Sequence, residues 1–425
     1  MSIIINILLV GGLLWWVKRL YVNSQIAWAY WPAAILKIIC GLGVGWLYTY
    51  YYSGGDTYTI FYLAEEFAAE ALHNSGAYIA NFFTIETWIG WGNYSGPDRT
   101  VVVSRWVSLL VLLTNGNYWL VAVWCSVLSF LGLFYLATKF GKCFTGTAYA
   151  AAIALLFWPS VTFWSSGLLK EALGMGALGL ALGGILSLIY GKRLSGFQFV
   201  FSLLSVLFLW RIKFFVAVPL LVAGFALMIG NLVNGKNKLA VLAGLALLLF
   251  LGYWLSLSHP YLQAPYALKA LVENYNYYPE AAQAGSYLKL NSLKPDWLSF
   301  LMGSPKYLAG GMYMPLPFIP YRLYSLQLLL GIENVVWLLL SALALVKFFK
   351  KRYVNHNLAV IIALAYSGLL AVAMAVASPV FGSLVRYRVY YLPLVIFIVL
   401  AYLFPDYQLK KLLKVRTFAA LWKTR

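Results

Sequence analysis

The residue best suited to acid–base chemistry is Asp56, which follows Gly54-Gly55 and opens a predicted helix, TYTIFYLAEEF. Consecutive glycines let the chain turn sharply and approach a ligand closely. A carboxylate placed there could take a proton from a hydroxyl group and so act as a general base. The structural alternative is that Asp56 caps the helix that follows, as Asp often does, and the two roles are compatible.

Eight basic residues sit at predicted membrane boundaries, on the side that insertion alone would keep free of positive charge. They are Arg99, Arg105, Lys170, Arg211, Lys213, Arg322, Arg386 and Arg388. Arg offers a planar fork of donors that matches a phosphate, whereas Lys is a point charge. We expect these residues to converge near Asp56 and to bind a lipid phosphate or diphosphate. The alternative for each is that it reaches to lipid headgroups or pairs with Asp98, Glu171 or Glu86.

Four further carboxylates are candidates for a second acid or for the wall of a cavity. They are Asp98, Glu86, Glu171 and Glu333. Glu333 lies about seven residues, or roughly 10 Å of helix rise, inside a predicted span. An ionisable group at such depth is a functional candidate by default, and a structural pairing with Arg386 or Arg388 is the equal alternative.

The sequence predicts no metal site and no certain cofactor. It has no phosphate-binding P-loop, no GxSxG or HExxH motif and no cluster of His and Cys. The acidic helix at 65–70 could hold a divalent ion through oxygen ligands, so a metal requirement stays open. A solvated helix face explains the same acids without a metal.

The elements that must position these residues are membrane helices. The 425 residues are 63% hydrophobic and 10% charged, with a mean hydropathy of +0.81. A soluble domain has only about 45–50% apolar residues. The net charge of +19 could indicate nucleic acid, but most of it flanks apolar runs, where it orients the chain and contacts anionic lipid. We therefore predict an all-α polytopic membrane protein that contacts membrane lipids and no nucleic acid.

The apolar runs predict about 11 transmembrane helices with the N-terminus outside and the C-terminus inside. The predicted spans are 2–17, 33–52, 117–138, 146–164, 172–190, 197–210, 214–230, 239–257, 326–346, 357–377 and 389–404. The first run lacks a cleavage signal and is predicted to stay as an anchor. The stretch 100–114 carries Arg105 and is predicted to be an interfacial or re-entrant helix.

This topology gives one bundle over 1–404, with long outer loops at 53–116 and 258–325 and a basic cytoplasmic tail at 405–425. It places 19 of the 31 Lys and Arg inside with a single acid, Asp406. The other 12 basic residues lie outside with 11 acids. Because the inner loops are short and basic, the predicted site faces outward.

The chain resembles the integral-membrane GT-C type glycosyltransferases, and within them a bacterial, polysaccharide-polymerase-like subgroup. The resemblance lies in a carboxylate in the first outer loop, a partly embedded helix after it, and basic residues at outer boundaries. The segments FWPSVTFWSSGLLKE and GSLVRYRVYYLPLVIF are also similar to segments of such proteins. The resemblance implies an active site on the outer face of the bacterial inner membrane. Many members carry a paired acidic motif, and here Asp98 or Glu86 would have to supply the second acid.

On this resemblance the chain would transfer a sugar from a polyprenyl-phosphate-linked or polyprenyl-diphosphate-linked donor to a glycan, lipid or protein. Asp56 would activate the acceptor, and the Arg and Lys residues would hold the phosphate. A single base on the acceptor side predicts inversion at the sugar. Two alternatives remain: a polymerase or ligase that uses diphosphate-linked oligosaccharides, and a flippase or transporter of lipid-linked sugars. Transporters often show internal repeats and broken midplane helices, and the sequence shows no repeat.

Overall fold

The computed structural model describes residues 2–52, 54–82, 88–91, 94–233, 293–318, 325–351 and 357–413, together with a few positions between 246 and 289. The regular secondary structure of these residues is helical apart from one short antiparallel hairpin, β1 (Trp88–Trp91) and β2 (Tyr94–Pro97), and an isolated bridge between Tyr287 and Val380. The first helices are α1 (Ser2–Leu20), α2 (Tyr30–Trp46), α3 (Asp56–His73), α4 (Ser75–Phe82), α5 (Asp98–Thr114), α6 (Tyr118–Cys143), α7 (Ala148–Ala152), α8 (Pro159–Trp164) and α9 (Lys170–Ile189). The later helices are α10 (Gly196–Val233), α11 (Trp297–Tyr313), α12 (Ser325–Lys351), α13 (Asn357–Ala377), α14 (Phe381–Tyr387), α15 (Leu392–Leu403) and α16 (Asp406–Leu412).

Seven helices of the described residues are long and apolar enough to cross a membrane. They are Ile3–Leu20, Ala27–Tyr51, Tyr118–Cys143, Lys170–Ile189, Gly196–Asn231, Leu328–Lys350 and Leu358–Ala377. The pair Phe381–Tyr390 and Leu392–Leu403, bent by 62°, forms an eighth candidate if it counts as one span. The prediction of a helical, polytopic membrane protein is confirmed. The number of 11 spans is not, and the predicted span 239–257 falls almost entirely outside the described residues.

Helix α10 reverses its direction at Lys213, where the backbone leaves helical geometry (φ −146°, ψ 60°). Before this point Ser202 Oγ donates to Leu180 O, and after it Asn231 Nδ2 donates to Ile189 O. An unbroken helix would hold Ser202 and Asn231 about 43 Å apart, which is far more than the extent of α9 between those carbonyls. The contacts therefore agree with two antiparallel arms, as the predicted spans 197–210 and 214–230 require.

The predicted span 146–164 is a broken helix. Helix α7 continues into a π-helical turn, Ile153–Phe157, and Trp158 then adopts an extended conformation (φ −66°, ψ 124°). Pro159 follows as the first residue of α8, where its missing N–H costs no hydrogen bond. Helix α8 is only six residues long and packs on α2 and α14.

The centre of the bundle is the contact between α6 and α9, where glycines allow the backbones to approach closely. A Cβ added at Gly176 would lie 3.0 Å from Leu128 O, and one at Gly132 would lie 2.7 Å from the carbonyl carbon of Gly176. Inside a bilayer the hydrophobic effect does not drive helices together, so close van der Waals packing through small residues stabilises such interfaces. The Gly-rich run GMGALGLALGG, residues 174–184 of α9, thus serves helix packing.

The bundle has two chemically different ends. At one, the starts of α3 and α9 meet Lys213 and α14; we call it the Asp56 end. At the other, both carboxylate oxygens of Asp406 accept the backbone N–H groups of Ala148 and Tyr149; we call it the Asp406 end. Helix α5, predicted to be interfacial, packs mainly on α3 at the Asp56 end and is not among the candidate spans.

Candidate functional site

An ion cluster of Asp56, Glu171, Lys213 and Arg386 occupies the Asp56 end. Arg386 Nη2 lies 2.7 Å from Asp56 Oδ2, and Arg386 Nε lies 3.7 Å from Glu171 Oε2. Lys213 Nζ binds Glu171 Oε1 at 3.0 Å. Four segments far apart in the sequence therefore meet here, and Arg386 links the two carboxylates.

The two carboxylates of the ion cluster differ in exposure. The side chain of Glu171 is 2% exposed, whereas that of Asp56 is 48% exposed. A buried charge is tolerated only when it is paired and hydrogen-bonded, and Glu171 meets both cations of the cluster. Glu171 is thus an internal counter-ion, and Asp56 is the carboxylate that an incoming molecule can reach.

Tyrosines surround the cations of the ion cluster. Arg386 Nη1 donates to Tyr48 Oη at 3.0 Å, and Lys213 Nζ lies 4.2 Å from the centre of the Tyr387 ring. The face of an aromatic ring attracts a cation, most strongly where water is excluded. These contacts hold Lys213 and Arg386 in fixed positions and cover them. Within the ion cluster only the side chain of Asp56 is half exposed.

The local backbone explains how Asp56 reaches Arg386. Gly54 and Gly55 have φ values of +133° and +116°, which a residue with a side chain rarely adopts. A Cβ at Gly55 would also come within 3.2 Å of the Tyr48 ring. Gly55 occupies the N-cap position, with no side-chain cap, and Asp56 is the first residue of α3. The hypothesis that Asp56 caps the helix is therefore wrong, because its carboxylate binds Arg386 instead.

Lys170 lies beside the ion cluster at the first residue of α9. Its Nζ donates to Thr100 Oγ1 of α5 at 2.7 Å, and it interacts electrostatically with Asp56 and with the exposed Arg99. Together with the ion cluster it makes three cations and two carboxylates, so the group carries a net charge of +1. An additional anion at the rim would bring this group to neutrality.

Arg388 is not part of this site, although it was predicted to bind phosphate. Its guanidinium donates to Met312 O (3.0 Å), Met314 O (2.8 Å) and Asn334 Oδ1 (3.0 Å). Asn334 in turn donates to Pro315 O at 2.7 Å. Arg388 is 2% exposed, and it fastens the end of α11 to α12. The structure gives this prediction no support, because the partners are two backbone carbonyls and the side-chain amide of Asn334, and a pattern of residue types does not show such contacts.

Glu333 is not at the ion cluster either. Its carboxylate accepts Ser160 N at 3.1 Å and Ser160 Oγ at 2.6 Å, at the first turn of α8. It therefore binds the start of a helix, which was not predicted. It also interacts electrostatically with Arg388, one of the two Arg partners that the sequence suggested for it.

Arg105 is buried in α5, 3% exposed, with its guanidinium 5.5 Å from the centre of the Phe67 ring. Its contact with Phe67 lies on α3, and its predicted role in phosphate binding stays a prediction. Arg211 is half-buried beside the turn at Lys213. Glu86, Arg322 and the side chain of Asp98 lie outside the described residues.

The described residues include no group of three or more His, Cys, Asp and Glu arranged to hold a metal ion. On the acidic helix, partial burial raises the pKa of Glu65 above its usual range.

Lys37 is the ionisable residue that sequence reasoning missed; it was counted with the inner basic residues. It lies near the middle of the candidate span Ala27–Tyr51 and is 3% exposed. Its Nζ donates to Ser165 Oγ and lies 3.5 Å from Thr162 O, at the end of α8. The available signal was a lone lysine several residues inside an apolar run.

Comparison of the chain with protein-family models, with curated proteins and with solved structures found no match to any of them. The fold and the geometry define a helical membrane protein with a half-exposed carboxylate in an ion cluster at one end of its bundle.

Proposed function

We propose that the chain is a membrane glycosyltransferase. It transfers a sugar from a polyprenyl-phosphate-linked donor to an acceptor hydroxyl of a glycan, lipid or protein. The reaction takes place at the Asp56 end, which on this proposal faces outward from a bacterial inner membrane. The observation that supports it best is the 2.7 Å contact between half-exposed Asp56 and buried Arg386.

The reaction requires a proton acceptor and a positive environment for the leaving phosphate. The acceptor oxygen bonds to the anomeric carbon as the bond from that carbon to the phosphate oxygen breaks. The hydroxyl proton passes to Asp56, and the phosphate leaves with the bonding electrons. Lys170 and Arg99 at the rim stabilise the negative charge that develops on the phosphate.

Each member of the ion cluster has a separate task in this scheme. Arg386 orients Asp56 through Oδ2. Glu171 neutralises the buried positive charges of Arg386 and Lys213. A carboxylate held in one orientation loses less freedom in the transition state. The basic residues of the cluster therefore support the base, and the donor phosphate is left to Lys170 and Arg99. This division differs from the expected clamp of eight cations.

The test is sugar transfer in proteoliposomes that contain a labelled polyprenyl-phosphate sugar. Loss of a general base lowers a rate by roughly 10²- to 10⁴-fold, so Asp56→Asn should fall within that range. Asp296→Asn is the matched control, because Asp296 also stands at the start of a helix and accepts Ser299 N at 2.7 Å, outside the ion cluster. Transfer by Asp56→Asn at the wild-type rate would contradict the assignment of the base.

A second candidate, a flippase or transporter of lipid-linked sugars, is favoured by a different observation. Lys37 lies near mid-span at the end of α8, the short helix that follows the break at Trp158, and broken helices with embedded charges are typical of transporters. The same proteoliposomes distinguish the two functions. Movement of a labelled lipid-linked sugar across the bilayer, without transfer from any donor, would favour the transporter.

A further inference from the structure

Helix α8 is held at its two ends by opposite charges from two other helices. At its start, both oxygens of Glu333 from α12 accept hydrogen bonds from Ser160. At its end, Lys37 from α2 donates to Ser165 Oγ and lies 3.5 Å from Thr162 O. Two ionisable groups from different candidate spans, neither of them in the ion cluster, thus bind the same short helix.

The signs of the two charges match the helix dipole. Unpaired backbone N–H groups make the start of a helix positive, and unpaired carbonyls make its end negative. A carboxylate therefore stabilises the start and an ammonium group the end, most strongly where water is excluded. Among the described residues Lys37 has no carboxylate partner, so the end of α8 is its counter-charge.

A tightly held junction, Ser165–Leu169, connects α8 to the ion cluster. Ser129 Oγ donates to Ser165 O at 2.7 Å, and Gly167 N donates to Ser126 Oγ at 2.9 Å. Gly167 has a φ of +72°, and its backbone approaches Gly41 of α2. The next two residues along the chain are Lys170 and Glu171. The position of the end of α8 therefore determines where these two charges lie relative to Asp56.

We infer that Glu333 and Lys37 are positioning residues that clamp α8 and, through the junction, set Lys170 and Glu171 at the site. The consequence for catalysis rests on the proposed glycosyltransferase function. The structural consequence does not depend on that function. Without either charge, α8 and the junction become less tightly held, whatever the substrate of the protein is.

A buried native cysteine reports on the junction without any assay of activity. Cys125 of α6 is 0% exposed, and it belongs to the same buried cluster as Leu168. In a background with Cys40→Ser and Cys143→Ser, a membrane-permeant maleimide would label only Cys125. Loss of a hydrogen bond to a charged group corresponds to about a 10- to 100-fold change in an opening equilibrium. We expect Lys37→Met and Glu333→Gln to raise the labelling rate by that factor.

The matched control is Lys347→Met. Lys347 is also a lysine in a candidate span that binds the carbonyls at the end of a helix, Tyr402 O (2.8 Å) and Leu403 O (3.0 Å) of α15. It lies at the Asp406 end, so its loss should leave the labelling of Cys125 within about twofold of the wild-type rate. The charge-retaining variants Lys37→Arg and Glu333→Asp should restore labelling close to that rate.

For transfer, misplacement of a catalytic group by about 1 Å can cost roughly 100-fold. We expect Lys37→Met and Glu333→Gln to lower kcat by about 10- to 100-fold with KM changed less than about threefold, and Lys347→Met to change neither.

The outcomes separate the two proposals. Faster labelling of Cys125 in Lys37→Met and Glu333→Gln but not in Lys347→Met supports the clamp, even if the wild-type chain transfers no sugar and the proposed function fails. Labelling equal to that of Lys347→Met overturns the clamp, whatever the activity. If the neutral variants do not reach the membrane, the labelling rate of Cys125 in Lys37→Arg is the deciding measurement. A rate 10-fold above that of the wild type would also overturn the clamp.

Discussion

Replacement of Glu171 by Gln tests the ion cluster most directly, because it removes the negative charge on which two buried cations depend. The side chains of Glu171 and Lys213 are 2% and 4% exposed, so water cannot take the place of the lost charge. Removing one partner of a buried ion pair costs about 3–5 kcal/mol. Arg386 keeps its contact with Asp56, which limits the loss to the lower part of that range. We therefore expect Glu171→Gln to lower the free energy of unfolding by about 3 kcal/mol.

A double-mutant cycle separates the pair from the general effect of substitution. Glu171→Gln, Lys213→Met and the double variant would be unfolded reversibly with denaturant in lipid–detergent micelles. Replacing both members of a buried pair by uncharged groups is often nearly neutral, so the double variant should be more stable than the sum of the single losses predicts. The coupling energy should exceed about 1 kcal/mol, as it does for residues in direct contact.

The control is an ion pair on the surface. Lys269 and Glu273 lie 3.7 Å apart, with side chains 65% and 66% exposed. Such a pair contributes about 0.2–1 kcal/mol at most, so Glu273→Gln should change the free energy of unfolding by less than about 1 kcal/mol. A loss in Glu171→Gln no larger than in this control would refute the role of Glu171 as the counter-ion. Strict additivity in the cycle would refute the pairing with Lys213.

Two further predictions concern residues away from the ion cluster. Arg388→Met leaves two buried acceptors, Met312 O and Asn334 Oδ1, without their donor, at roughly 1–3 kcal/mol each, and also removes the part-buried bond to Met314 O. Unfolding should show this loss, while sugar transfer per folded molecule, measured in proteoliposomes, stays within about twofold. Partial burial raises the pKa of Asp406 above its ordinary value of 3.8 in spite of its bonds to backbone N–H groups. Just above that pH the folded protein then binds more protons than the unfolded one, so the contribution of Asp406 to stability falls as the pH rises through this window. Denaturant unfolding as a function of pH should show a steeper fall in the wild-type protein than in Asp406→Asn.

The sequence was sufficient to predict the membrane class and that Arg386 lies near Asp56, although it predicted a phosphate and not Asp56 itself as the partner of Arg386. Asp56 and Arg386 stood out because each is a charged residue at the edge of an apolar run, and hydropathy reports such edges directly. The ion pair between them requires only that both edges lie at the same end of the bundle. Charge patterns therefore predicted which charged residues lie at the same end of the bundle. For Asp56 and Arg386 this placement was enough to predict that they lie close together.

The sequence failed where a charged side chain binds the backbone. Arg388, Glu333, Lys37 and Asp406 all find their partners in carbonyls, N–H groups or hydroxyls of helix ends. Helix ends inside a bundle depend on where a span breaks, and the break at Trp158-Pro159 was predicted as continuous helix. Depth in the membrane can be read from hydropathy, but the partner at that depth cannot. The same limit explains why only part of the predicted set of eight cations converges on Asp56.

The isolated acid at the Asp406 end has a structural explanation of the same kind. Asp406 accepts the first two N–H groups of α7, at 2.9 and 3.0 Å. Helix α7 begins the broken span whose later part, α8, is bound by Glu333 and Lys37. Three charges thus satisfy the ends of one interrupted span, and that span leads directly to Lys170 and Glu171. The ends of an interrupted helix would otherwise leave backbone groups unpaired inside the membrane. The charges that insertion does not explain therefore include three that hold this broken span, Asp406, Glu333 and Lys37, and two that the span brings towards Asp56, Lys170 and Glu171.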